Sequence, residues 1–181
     1  MIKIRRARPD DADFIAATYR PFVEDHWTSF ETEPPSPATI AQRLLKAGDQ
    51  YPWLIADDTV PLAYAYASPH RSRAAYQTSV DTAIYCAENA RGKGVGKAIY
   101  RKLLSVLKAQ NYVMAFGGIA MPNEASVGLH RAVGFDLIGT YPSVGYKNGG
   151  WRDTTWWSKP LAEPISPPAA IKSVSAVYKA G

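Results

Sequence analysis

The residues whose spacing carries the most chemistry are Arg91-Gly92-Lys93-Gly94-Val95-Gly96-Lys97, a basic glycine-rich turn between an apolar run and an amphipathic one. Glycines let a backbone pass close to a ligand, and unpaired N–H groups at a helix start, with the helix dipole behind them, bind phosphate. Two phosphate loops are excluded by spacing. A Walker loop needs Gly at position 91 and Ser or Thr at 98, where the chain has Arg91 and Ala98. The dinucleotide fingerprint spaces its glycines Gly-x-Gly-x-x-Gly, whereas these stand at Gly92, Gly94 and Gly96. Glycines alone also suit a flexible turn before a solvated basic face.

The surrounding charge favours a polyanionic ligand. Arg91, Lys93, Lys97, Arg101, Lys102 and Lys108 occur with no acidic residue between them, and a merely solvated face usually mixes signs. The 181-residue chain has 21 Lys and Arg against 16 Asp and Glu, a net charge of +5; outside this segment 15 basic face 16 acidic residues, so the whole excess lies in it. The one cysteine, Cys86, excludes a disulfide framework or a multi-Cys zinc site and suits a reducing cytosol. His26, His70 and His130 form no ligand cluster with it, so no metal is expected.

These residues need elements to position them. Ile2 to Arg6 reads as a first strand, and Pro9, Asp10 and Asp11 open a helix whose stripe is Ile15, Tyr19, Phe22 and Val23. A polar and aromatic loop from His26 to Pro35 precedes a second helix, capped by Ser36 and closed near Gly48. Trp53 to Ala56 and Leu62 to Ala67 read as a hairpin and Ser79 to Cys86 as a fourth strand. The third helix, Gly94 to Ala109, has Val95, Ile99, Leu103, Val106 and Leu107 on one face. Val113 to Ile119 returns as a strand, Asn123 caps a fourth helix ending at Gly134, and Phe135 to Tyr141 and Thr154 to Trp157 complete the sheet. The order is α+β with a mixed sheet. Length and composition suit one folded domain over residues 1–161. Residues 162–181, rich in proline, are expected to form a mobile tail without regular structure. With no signal-peptide pattern and no long apolar run, a soluble cytoplasmic protein without membrane partners is expected.

The stretch Arg91-x-x-Gly94-x-Gly96, between the fourth strand and third helix, resembles the acetyl-coenzyme A pyrophosphate motif of the GNAT superfamily of N-acetyltransferases. Further segments resemble its phosphinothricin N-acetyltransferase branch: Phe30-Glu31-Thr32-Glu33-Pro34, Tyr51-Pro52-Trp53-Leu54, Arg71-Ser72-Arg73-Ala74-Ala75-Tyr76, Pro122-Asn123-Glu124-Ala125-Ser126 with His130, and Gly145 to Asp153. The resemblance implies the GNAT fold, a mostly antiparallel sheet of about seven strands with four helices. It also implies a fourth strand that bulges and splays from the fifth, with acetyl-coenzyme A as cosubstrate in the gap. Backbone contacts would come from Ile84, Tyr85 and Cys86, pyrophosphate contacts from Arg91 to Lys97, and a coenzyme-arm contact from Asn123, which also reads as a helix cap.

The resemblance likewise implies the catalytic set. An amine that titrates near pH 8 must lose a proton before attack, and the matching position, a Glu in the family, is Asp81 here. One methylene shorter, Asp81 is expected to act through an ordered water. Tyr100 matches a family tyrosine whose phenol could serve the departing thiolate, and reads equally as core packing; His130 matches a family histidine, although a lone helix histidine is usually a packing or capping residue. His26 and His70 have no such match. Phe30, Arg73 and Tyr76 match acceptor-pocket positions, with Arg71 close by, and a guanidinium suits a carboxylate or phosphinate. Cys86 is read as an apolar strand residue. The implied activity is direct N-acetylation of a small amino acid or analogue of phosphinothricin or methionine sulfoximine type, by a homodimer, since family members are often dimers. Alternatives are acetylation of another small amine or a protein amino terminus, and, in a different class, nucleic-acid binding through the basic face. The patch interleaves only Tyr100 with its charges, which counts against nucleic acid.

Overall fold

The fold is described from a computed structural model covering residues 2–178. Arg5 of β1 (Lys3–Arg6) grips the Asp11 carboxylate through two guanidinium nitrogens at 2.7 and 2.8 Å, and the Arg8 N–H donates to the same group at 2.7 Å. That carboxylate sits on a 3₁₀ turn, Pro9–Asp11, which leads into α1 (Ala12–Glu24) and its buried stripe of Ile15, Tyr19 and Val23. In α2 (Pro37–Ala47) the Ser36 hydroxyl accepts from the Thr39 N–H at 3.1 Å, the expected cap, and Gly48 ends the helix at φ +58°.

The sheet holds β2 (Trp53–Asp58), β3 (Val60–Pro69), β4 (Ser79–Cys86), β5 (Met114–Ala120), β6 (Asp136–Lys147) and β7 (Gly150–Pro160), in the order β1-β2-β3-β4-β5-β7-β6. All neighbours are antiparallel except β4 and β5. Between them run α3 (Val95–Ala109), on the connection from β4, and α4 (Glu124–Ala132), between β5 and β6. This is the α+β GNAT architecture, with one more short helix, α5 (Val174–Val177), than the four expected.

Strand alternation divides the core. Val80, Ile84 and Cys86 of β4 face α3, whose Val95, Ile99, Leu103 and Leu107 are buried; Tyr85 faces α1 together with Tyr64 and Tyr66 of β3. β4 pairs with β3 from Pro69↔Val80 to Ala63↔Cys86 without a shift, so the expected bulge is absent from that ladder; the shift lies between Ala56 and Asp57, where β2 meets β3. With β5, β4 pairs only at Ser79↔Met114, Val80↔Ala115 and Asp81↔Phe116. Past Asp81 the two strands separate, which is the expected splay.

The segment after Leu161 departs from the expectation of an unpacked chain. Val174 is fully buried, the Lys172 N–H donates to the Gln110 carbonyl at 2.9 Å, and the Tyr178 hydroxyl donates to the Ile4 carbonyl at 2.6 Å. Residues 179–181 of the tail lie outside the described residues. Among the described residues no helix is long and apolar enough to cross a membrane.

Candidate active site

The glycine-rich turn adopts the geometry its residues permit. Gly92 and Gly94 have φ of +73° and +77°, the left-handed region where a side chain is strained, and Gly94 is the N-cap of α3. Gly96 serves packing as well: a Cβ there would lie 3.2 Å from the Cys86 Sγ, so its absence lets α3 approach β4. A cavity of about 410 Å³ opens between this turn and the splayed strands. It is lined by Ile84, Tyr85 and Cys86, by Arg91, Gly92, Gly94, Gly96 and Lys97, and by Asn123, all expected coenzyme contacts. Two expected contacts stand outside the lining: Lys93 is on the exposed turn, and the Val95 side chain is buried in the core. The Arg91 guanidinium lies 5.1 Å from the centre of the Phe22 ring. Burial pushes the Cys86 thiol up, with the Arg91 charge opposing, which suits an apolar strand residue better than a nucleophile. The Asn123 Oδ1 accepts from the Ser126 N–H at 3.1 Å, so the cap forms while Asn123 still borders the cavity.

Behind the cavity wall runs a buried polar chain. The His130 Nδ1 lies 2.8 Å from the Ser126 carbonyl, which can only accept, so Nδ1 carries the proton and Nε2 is left to accept from the Tyr100 hydroxyl at 3.0 Å. With the Tyr100 proton given to His130, the single Thr82 hydroxyl proton is shared between the Tyr100 oxygen at 2.8 Å and the Phe116 carbonyl at 2.9 Å. Burial pushes the His130 pKa down, the Ser126 bond opposing, and pushes the Tyr100 phenol up. Tyr100 is fully buried and is not in the cavity lining, to which its partners Thr82 and His130 belong. Gly117 makes room for His130: a Cβ there would fall 2.6 Å from the Nε2.

The gap passes through the sheet. A second cavity on the α1 face, lined by Tyr19, Ser29, Phe30, Glu31 and Thr154, shares Thr28, Tyr85, Gly118 and Ala120 with the first. The Thr28 Oγ1 at that joint is buried and has no hydrogen-bond partner among the described residues. The loop holding Phe30 is fixed by charge: Arg43 grips Glu31 at 2.8 Å through both nitrogens, and the Lys147 ammonium donates to the Ser29 and Glu31 carbonyls at 2.6 and 2.7 Å. The Phe30 ring lies over Gly145, where a Cβ would come within 2.4 Å of it.

At the vertex of the splay, the Asp81 carboxylate is 2.6 Å from the His70 Nδ1. Burial pushes the Asp81 pKa up, while the His70 bond and the His70 and Arg71 charges pull it back. Asp81 therefore has a direct side-chain partner in His70. The His70 ring stacks on Phe116 at 4.2 Å and meets Tyr76 and Trp156 edge-on at 6.0 and 6.2 Å. The Arg71 guanidinium lies 5.8 Å from the Trp156 ring centre, and Arg73 precedes the 3₁₀ turn Ala74–Tyr76 that carries Tyr76. Phe30 thus lines the second cavity, whereas Asp81, His70, Tyr76 and Arg71 form a cluster beside the two cavities rather than in their linings, and exposed Arg73 borders neither cavity. Nothing local in the sequence singles out His70, Thr82 or Gly117. The register is the missing signal: Ser68 lies opposite Asp81, so His70, two residues further, shares its face.

The family model described as the acetyltransferase (GNAT) domain matches residues 4–156. The chain is 32% identical over 177 residues to phosphinothricin N-acetyltransferase of Streptomyces viridochromogenes, covering 97% of this chain and 96% of that one. It is 33% identical over 159 residues to the L-methionine sulfoximine/L-methionine sulfone acetyltransferase of Pseudomonas paraeruginosa, covering 84% and 91%. A crystal structure of a GNAT superfamily phosphinothricin acetyltransferase from Sinorhizobium meliloti, in complex with acetyl-coenzyme A, superposes with a TM-score of 0.87 at 35% identity, covering 98% of this chain and 95% of that one. The chain belongs to the GNAT acetyltransferases and is an enzyme of the N-acetyltransferase class.

Proposed function

We propose that the protein moves the acetyl group of acetyl-coenzyme A onto the amine of a small amino-acid-like acceptor of the phosphinothricin or methionine sulfoximine type. The observation that carries this is the gap between β4 and β5, which joins the cavity at the phosphate turn to the cavity on the opposite face through Tyr85, Gly118 and Ala120. A coenzyme fits this gap on chemical grounds. From Thr82 to Cys86, the β4 edge turned away from β3 has no neighbouring strand among the described residues, leaving backbone donors and acceptors for an extended amide-bearing arm. Left-handed Gly92 and Gly94 and the first turn of α3 supply N–H groups for a pyrophosphate, with Arg91 and Lys97 adding charge. The bound coenzyme supplies an activated acetyl thioester.

The chain's own residues do the rest. Asn123 borders the arm, while Thr82 and His130, held by Tyr100, fix the wall beside it. On the acceptor side Phe30 and Tyr76 offer apolar surface, and Arg71 and Arg73 offer guanidinium groups for a carboxylate or phosphinate. Thiol release from acetyl-coenzyme A, measured with phosphinothricin, methionine sulfoximine and a panel of amino acids, tests this. Turnover with acidic amine analogues is expected. Tight coenzyme binding with no thiol released by any amine would overturn it.

A further inference from the structure

We infer that His70, oriented by Asp81, is the group that accepts the proton from the acceptor's ammonium, the two side chains together doing what one longer carboxylate would do at this position. This rests on the acetyl-transfer reading above. The Asp81 carboxylate is engaged by the His70 Nδ1 at 2.6 Å. A carboxylate accepts, so Nδ1 carries the proton and the Nε2 lone pair points away from Asp81; among the described residues it meets no hydrogen-bond partner. Stacking on Phe116 and edge contacts with Tyr76 and Trp156 hold the ring, and only 12% of the His70 side chain is exposed.

Its position suits the reaction. Asp81 is the last β4 residue paired with β5, on the same face as Ala83 and Tyr85, so the pair sits where the gap begins. The groups facing it are Asp81 from β4, Tyr66 from β3, Arg71 from the same loop and Tyr76 from the 3₁₀ turn; Phe116 of β5 and Trp156 of β7 bring no charge. An imidazole whose Nδ1–H is held by a carboxylate presents its Nε2 as a proton acceptor. His130 cannot substitute, since Ser126 and Tyr100 occupy its two nitrogens.

The acceptor's ammonium gives one proton to the His70 Nε2. The freed nitrogen pair forms the bond to the acetyl carbon, the carbon–sulfur bond breaks with its electrons going to sulfur, and the sulfur takes the nitrogen's second proton. Nε2 then returns its proton to water, so ammonium and thioester become amide, thiol and one released proton.

Two measurements test the assignment. In nitrogen-15 NMR of the protein without ligands, the neutral His70 ring is expected as the Nδ1–H tautomer, and Asp81→Asn is expected to shift that resonance. In steady-state assays, His70→Phe and His70→Gln are expected to lower kcat by about 10²-fold and to remove the acid limb of the pH profile. Their Kd for acetyl-coenzyme A should stay within about twofold of the wild type, which reports an intact fold, and adding Asp81→Glu to His70→Phe should restore activity at least about tenfold, as expected of a general base restored within reach. Wild-type turnover with an unchanged rate and profile in both His70 variants would overturn the role of His70 alone. So would an Nε2–H ring indifferent to Asp81→Asn. No turnover by the wild type with any amine would overturn the acetyl-transfer reading as well.

Discussion

His130 is tied into the protein at both ring nitrogens, and the space for it is made by one missing methyl group. In Gly117→Ala the new Cβ would fall 2.6 Å from the Nε2, so either the imidazole or β5 must move. Overpacking of this kind costs about 1–3 kcal/mol, and chemical denaturation should show a loss in that range, with the Tyr100 contact to His130 weakened. The same histidine makes stability depend on pH. Burial holds its folded pKa below the ordinary 6.5, so between 6.5 and the lowered value the unfolded chain binds a proton that the folded chain does not. Stability should therefore fall as pH drops through that window and be insensitive to this group above it. The urea midpoint measured from about pH 8 to pH 5 should show less of this decline in His130→Gln; an identical decline would assign it to other groups.

At the scale of elements, the junction of β4, the glycine turn and α3 is the part most legible in the sequence. The glycines, the helix stripe and the cap at Asn123 are local signals, and each lies where its local chemistry puts it. Gly96 is legible only in part: it belongs to the phosphate turn in the sequence, but its contact with Cys86 depends on packing between elements. Gly96→Val should push α3 from β4, weakening acetyl-coenzyme A binding by at least about tenfold, or about 1.4 kcal/mol, as read by calorimetry. Retained affinity would mean that the helix can shift without disturbing the turn. The far hairpin is less legible. Asn148 and Gly149 have φ of +49° and +75° and form the two-residue turn between β6 and β7, a signal present in the sequence. β6 is mostly exposed, so it lacks the alternation that would announce a strand through Lys147. The face around His70 is hidden for another reason: Phe116, Tyr76 and Trp156 come from distant segments and meet only through the sheet register.

For the whole molecule, the basic charge and the proline-rich tail are connected through α3. Of the six basic residues between positions 91 and 108, only Arg91 and Lys97 line the cavity at the glycine-rich turn; Lys102 instead lies 5.1 Å from the Tyr178 ring centre. The tail packs where α3 ends. The Gln110 amide donates to the Gln50 and Lys172 carbonyls at 2.9 Å each, Asn111 donates to the Ala170 carbonyl at 2.8 Å, and the Val174 N–H donates to the Asp49 carbonyl at 2.6 Å. Composition alone could not reveal this, because proline removes repetitive hydrogen bonding without preventing single bonds to an already folded surface. The 15 residues of α3 separate this junction from the phosphate turn by about 22 Å at 1.5 Å per residue. Stability and ligand binding should therefore part company in Val174→Asp, which places a charge at a fully buried position. A loss of about 2–4 kcal/mol is expected, and at about 2–4 °C per kcal/mol for a chain of this size the Tm should fall by roughly 10 °C. The Kd for acetyl-coenzyme A, measured well below that Tm, should change less than about twofold, because the disturbed packing is at the far end of the helix. An unchanged Tm would mean that the tail detaches freely in solution, whereas a large loss of coenzyme affinity would mean that α3 transmits the disturbance along its length.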